Sequence, residues 1–181
     1  MISATNRGRM IFLSMVLLFA LPAIIAKVVL DKNWYESGVT NYGKFITPVI
    51  SLNSMGLNDP FQSEWKLGYV VPARCQKVCE QQIHLLQQSH TALGKNQNRV
   101  RPILIFTPSS DDYVINHDKL FKLSVSSKFE SVVQSGELVI VDPLGQLVMR
   151  YPTVSSQNNM ISQSKGVLAD LRKLLKLSRV G

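Results

Sequence analysis

The longest unbroken apolar run in the chain, Met10–Leu30, reads MIFLSMVLLFALPAIIAKVVL and carries one charge, Lys27. As a helix at about 1.5 Å per residue it spans roughly 31 Å, the depth of a bilayer's hydrocarbon core. Pro22 lies inside it, which a membrane helix tolerates better than a soluble one. The pattern then loses its period. Trp34, Tyr35, Tyr42 and Phe45 are scattered through 31–64, and Asn58-Asp59-Pro60 reads as a turn, so this stretch is expected to be a linker. From Trp65 the pattern is legible again. WKLGYVV (65–71) has strand composition and ends at Pro72. Cys79, Ile83 and Leu86, widened by Val78 and Leu85, recur at helical spacing. A helix is therefore predicted from around the cysteines to about Leu93, where Gly94 stops it.

RVRPILIF (99–106) is a second strand, buried on both faces, and TPSSDD (107–112) is the loop at its end. A weaker helical stretch is expected over 117–130. Residues 137–141 and 146–151 form a hairpin around Asp142-Pro143-Leu144-Gly145, where Pro presets the turn and Gly is free to take positive φ. The last helix is predicted from about Gln163 to Leu177, with Val167, Leu168, Leu171, Leu174 and Leu175 on one stripe. Strand, helix, strand, helix, hairpin, helix is the order of a thioredoxin-like α/β domain, a central sheet flanked by helices on both faces. The expected organisation is a short n-region (1–9), a transmembrane anchor (10–30), a linker (31–64) and the α/β domain (65–181).

Charge sets the expected compartment. Arg7 and Arg9 flank the apolar run, so the N-terminus is expected in the cytoplasm and everything beyond Leu30 outside it, on a single-pass inner-membrane protein. A cleavable signal peptide with Ala26 at the cleavage site is the rival reading. Bulky Ile24, Pro22 and the length of the run favour an uncleaved anchor. Three of the 20 basic residues belong to this anchor and none of the 12 acidic residues precedes Asp31, so the remainder carries 17 positive against 12 negative charges. The excess is concentrated in Lys165, Arg172, Lys173, Lys176 and Arg179, a helix that would suit anionic lipid headgroups or an acidic partner, or be a solvated face. Nucleic acid is a poor fit for an exported domain.

Compartment gives the two cysteines their meaning. Cys75 and Cys79 form a C-x-x-x-C in "YVVPARCQKVCEQ" (69–81), at the junction of the first strand and its helix. In an oxidising space such a pair can persist as a disulfide. A helix N-terminus flanked by Arg74 and Lys77 favours thiolate, the form that exchanges disulfides and binds metal. Two thiolates are too few for a closed zinc site but suit Cu(I). Three readings stand: a redox pair, with Cys75 as nucleophile and Cys79 as resolving partner; a Cu(I) ligand pair; or small buried residues or a loop-stapling disulfide in a non-catalytic accessory protein.

The pattern W-x-L-G-Y-V-V-P-x-x-C-x-x-x-C, together with LVIVDPLGQLVMRYP (138–152) and the N-terminal anchor, resembles the SCO/SenC family of thioredoxin-like cytochrome oxidase assembly factors. The resemblance implies a single-span protein that binds copper or exchanges disulfides through Cys75 and Cys79 while the oxidase copper centre is built. Oxidase subunits and copper or haem assembly proteins would be its partners. The family's copper-ligand histidine precedes the late hairpin, where this chain has Val132-Val133-Gln134-Ser135-Gly136, and Glu80 replaces the proline after the second cysteine. No proline before the hairpin suggests the cis-proline of thioredoxins. His84, His90 and His117 do not clearly restore the ligand set. There is no G-x-S-x-G, P-loop or dinucleotide fingerprint, which leaves acyl transfer and nucleotide chemistry without a motif.

Overall fold

The computed structural model describes residues 4–32, 40–111, 114 and 120–178. The chain divides into two compact units, one through Thr40 and one from Asn41. In the first, helix α1 (Ala4–Asp31) contains Pro22 and is long and apolar enough over Asn6–Asp31 to cross a membrane. Its apolar side chains, Phe12, Leu17, Leu18 and Phe19 among them, are exposed all round rather than along one stripe. A helix of that kind needs an apolar surrounding to be stable.

The second unit is built on one mixed six-stranded sheet, in the order β1-β6-β5-β2-β3-β4. The strands are β1 (Lys44–Ser51), β2 (Trp65–Val70), β3 (Val100–Phe106), β4 (Phe121–Ser124), β5 (Leu138–Val141) and β6 (Gln146–Tyr151). β2, β3 and β4 run parallel, whereas β5 and β6 form an antiparallel hairpin paired to β2. Between the strands lie α2 (Lys77–Thr91) and the single turn α3 (Ser127–Glu130), and α4 (Gln157–Leu177) closes the unit.

Alternation divides the core between the two faces of the sheet. Trp65, Leu67, Tyr69, Leu104, Phe106 and Ile140 point to one face, where Ile83 and Leu86 of α2 and Val167, Leu171 and Leu175 of α4 cover them. Val70, Ile103, Ile105, Val139, Val141 and Leu147 point to the other, under Leu52, Phe129 and Val133. This is the expected thioredoxin-like α/β domain. The hairpin turn is also as expected, with Gly145 at φ 78° and the Asp142 carboxylate accepting from the amides of Leu144 and Gln146.

Three stretches differ from the sequence reading. The expected linker is partly sheet: Lys44–Ser51 pairs antiparallel with β6, with an irregularity between Phe45 and Ile50, and Leu52 is 1% exposed in the core. The expected helix over 117–130 gives way to strand β4 and one turn of α3, because the open edge of β3 takes Phe121–Ser124 as a parallel partner. Residues 115–119 lie outside the described residues. Finally, α4 starts at Gln157 rather than Gln163, with Ser156 Oγ accepting from the Asn159 amide as an N-cap.

Candidate redox site at the strand–helix junction

Parallel pairing of β2 and β3 delivers two chain segments to the same end of the sheet. Past β2, Val71 continues the ladder by donating its amide to the Ile105 carbonyl at 2.9 Å. Past β3, the loop 107–111 folds back over it. Ser110 Oγ donates to the Val71 carbonyl at 2.6 Å, and the Asp111 amide donates to the Pro72 carbonyl at 2.9 Å. Within the loop, the Thr107 amide donates to Ser110 Oγ. Ser109 Oγ reaches across to Glu130 at 2.6 Å, and hydroxyls of Ser109 and Thr107 hold that carboxyl below its ordinary pKa.

Cys75 and Cys79 are joined as a disulfide, with Cα atoms 5.1 Å apart. Cys75 precedes the helix and Cys79 is the third residue of α2, with Gln76 as an extended N-cap that makes no side-chain capping bond. The two sulfurs differ in access. Cys79 is 3% exposed, on the apolar stripe of α2. Cys75 is half-buried at the rim of the same core. Arg74 and Lys77 are exposed beside it.

The sequence reading missed Asp111. Its Oδ2 accepts from the Cys75 amide at 2.8 Å, placing a carboxylate against a cysteine 36 residues earlier in the chain. The cations and the helix N-terminus favour a thiolate, whereas this carboxylate disfavours it. Local charge therefore does not push one way. The acidic pair in TPSSDD was visible in the sequence, but its apposition to Cys75 depends on the parallel β2–β3 register.

Among the described residues no group of three His, Cys, Asp or Glu side chains could hold a metal ion. His84 Nε2 faces Gln88 on the exposed side of α2. His90 Nε2 donates to the carbonyls of Val100 and Gln97. His117 lies outside the described residues. Within 132–136, the stretch where the resemblance would place the copper-ligand histidine, Val133 is fully buried in the core. Among the described residues the cis peptide is Thr47–Pro48, in β1 and not ahead of the hairpin. A groove of about 590 Å³ opens immediately after Cys79, between Gln81, His84 and Leu85 of α2 and Met160 and Ile161 of α4.

No curated protein matches the sequence. Among solved structures, the chain is similar to apo Sco1 from Thermus thermophilus, at 20% identity over 76% of this chain and 99% of that one, TM-score 0.49. It is also similar to copper-bound ScoI from Arabidopsis thaliana, at 19% identity over 62% and 87% of the two chains, TM-score 0.44. A secreted Mycobacterium tuberculosis disulfide oxidoreductase matches at 18% identity over 60% and 84%, TM-score 0.41. Residues 65–178 match the family model of the transmembrane-like, thioredoxin-like C-terminal domain, and the chain belongs to that family.

Proposed function

We propose that this protein is held in the membrane by α1 and exchanges thiols and disulfides outside the cytoplasm through Cys75 and Cys79, in the service of cytochrome oxidase assembly. The observation that carries the redox reading is the asymmetric bridge: one sulfur at the rim of the core, its partner buried. An incoming thiolate from a partner dithiol attacks Cys75 Sγ. The Cys75–Cys79 bond breaks and Cys79 leaves as a thiolate in the first turn of α2, where the helix N-terminus favours negative charge. The partner's second thiolate then attacks the mixed disulfide and releases Cys75. The partner is oxidised by two electrons and this chain is reduced; the reverse sequence delivers reducing equivalents. The oxidase side of the proposal is supported by the SCO/SenC-like motif around Cys75 and the hairpin sequence.

A redox titration against glutathione buffers tests the exchange. A reversible couple above about −300 mV is expected, and a bridge that stays oxidised throughout would leave a structural disulfide on an accessory protein. Cys79→Ser should accumulate mixed disulfides on Cys75, which identifies the partner. A reporter fused after Gly181 should be active only in the exported compartment.

A Cu(I) carrier is the second reading, favoured by the two soft sulfur donors that reduction of the bridge would free. Cys75 and Cys79 would hold the ion. The described residues offer no further ligand, so retention should be weaker than with a Cys-Cys-His set and should depend wholly on both thiols. Substituting either cysteine by Ser should abolish Cu(I) retention, whereas His117→Ala should change little.

A further inference from the structure

The exposed side of α4 is cationic along most of its length. At about 100° per residue, Lys165, Arg172, Lys173 and Lys176 fall within roughly a 100° arc. All four are exposed. The one acid of this helix, Asp170, is 2% exposed and turned inward to Tyr151. Exposed Lys95 lies close by in sequence to Ala92, whose carbonyl accepts from Arg172 Nη2 at 2.6 Å. Arg99 Nη1 donates to the Leu175 carbonyl at 3.0 Å, adding a cation at the C-terminal end of α4. The acid nearest this surface along α2, Glu80, borders the first turn of α4 with Gln157 and Ile161, at the opposite end from Arg172.

The chain enters the second unit on this same helix. The amides of Tyr42 and Gly43 donate to Asp170 Oδ2 at 2.9 Å each. The Tyr42 ring lies where a Cβ on Gly166 would come within 2.7 Å of it. Gly166 and Asp170 border the basic arc. Nine residues, 33–41, lie between Lys32, the last described residue after α1, and Tyr42, a length of chain that spans at most about 36 Å.

We infer that the basic face of α4 docks on the anionic phospholipid surface of the membrane that α1 enters. The proposal rests on the anchoring part of the function proposed above and not on the thiol chemistry. Cations at such a surface gain from its negative potential, and the gain fades over a Debye length of about 10 Å at 0.1 M salt. The tether's inner end is clamped at Tyr42 and Gly43 on the helix that carries the cationic arc. Docking would hold the domain against the bilayer rather than let it tumble on its tether.

The test uses the full chain in nanodiscs of phosphatidylcholine, with or without phosphatidylglycerol, and amine-reactive mass tagging of individual lysines. Lys165, Lys173 and Lys176 should react at least about threefold more slowly in the anionic discs, and 0.5 M salt should abolish the difference. Lys77 and Lys128, on α2 and α3, should react alike in both. In the Lys165→Glu/Lys176→Glu variant, Lys173 should lose its protection. Equal reactivity in the two lipids, with the protein retained in the discs, would overturn docking and leave the anchor standing. Loss of the protein from discs altogether would remove the anchor and this proposal with it. Protection by soluble polyglutamate but not by anionic lipid would make the face a site for an acidic protein, and docking on lipid would be wrong.

Discussion

Two buried carboxylates fasten the same stretch of chain by opposite means. Asp59, 7% exposed, meets a cation: Lys66 Nζ, itself fully buried in β2, donates to its Oδ2, while Oδ1 accepts from the Phe61 amide at 3.0 Å. Asp170, 2% exposed, meets neutral dipoles: the amides of Tyr42 and Gly43 and the Tyr151 hydroxyl all donate to its Oδ2 at 2.9 Å. The first is an ion pair within one neighbourhood, the second a junction of three segments. Burying both members of a pair trades desolvation against attraction, so removing one partner is worse than removing both. A carboxylate satisfied by neutral donors loses hydrogen bonds one at a time. The contrast shows that residues 42–66 join the domain through polar anchors as much as through apolar ones.

The sharpest way to break the comparison is Lys66→Met. It leaves the Asp59 carboxylate buried without its cation and should cost about 3–5 kcal/mol in urea unfolding. Adding Asp59→Leu to the same chain should recover much of that loss. If the double variant is as unstable as the sum of the singles, the two residues are not acting as a pair.

Asp170→Asn keeps the shape but makes the acceptor neutral. Three donors share the lost charge, so a destabilisation of about 1–3 kcal/mol is expected, smaller than for Lys66→Met. A loss equal to or above that of Lys66→Met would erase the distinction between the two anchors.

Alkali sharpens the comparison at Tyr151. Burial, then the Asp170 charge and its hydrogen bond, raise the Tyr151 phenol above its ordinary pKa, and burial pushes Tyr69 up to about 12. Both phenols stay protonated in the fold while those of the unfolded chain begin to ionise near pH 10. The unfolded state then binds fewer protons, so stability is full below pH 10 and falls as pH rises towards 12. The fall is about 1.4 kcal/mol per pH unit for each phenol. Tyr151→Phe should remove one of the two slopes, read from urea midpoints between pH 9 and 11. An unchanged slope would sever Tyr151 from this linkage.

The smallest effect belongs to a third carboxylate, Asp111, which is only half-buried and accepts from the Cys75 amide. Asp111→Asn removes a negative charge beside the bridge, favours thiolate and so the reduced form, and should raise the reduction potential by about 10–30 mV. A lower potential would mean that loss of loop structure outweighs the charge.

The sequence carried what depends on local pattern. β2, α2, β3 and the hairpin each have a period or a turn of their own, and the C-x-x-x-C marked the junction where the disulfide lies. What it did not carry depends on partners distant in sequence. β1 has Pro48 inside it and only Ile46 fully turned inward, so nothing in KFITPVIS alternates like a half-buried strand. FKLS buries Leu123 alone and is a strand because β3 offers it a parallel edge. Apart from buried Met160 and exposed Ile161, the first two turns of α4 are Gln, Asn and Ser, which hides a helix start that Ser156 caps. Asp111 is one of two adjacent acids in a loop, and only the strand register distinguishes it as the neighbour of Cys75.

Pro48 has a further consequence, for how copies of this chain meet. A sheet's outer strand offers its row of amides and carbonyls to any extended chain that passes, and self-association begins there. On the β1 side that row is interrupted: Pro48 has no amide to give, and the ladder to β6 is irregular between Phe45 and Ile50. The opposite edge, β4, is only four residues long and exposes Lys122. Neither margin makes a good template for a second sheet, so the domain is suited to being crowded with its own kind without polymerising.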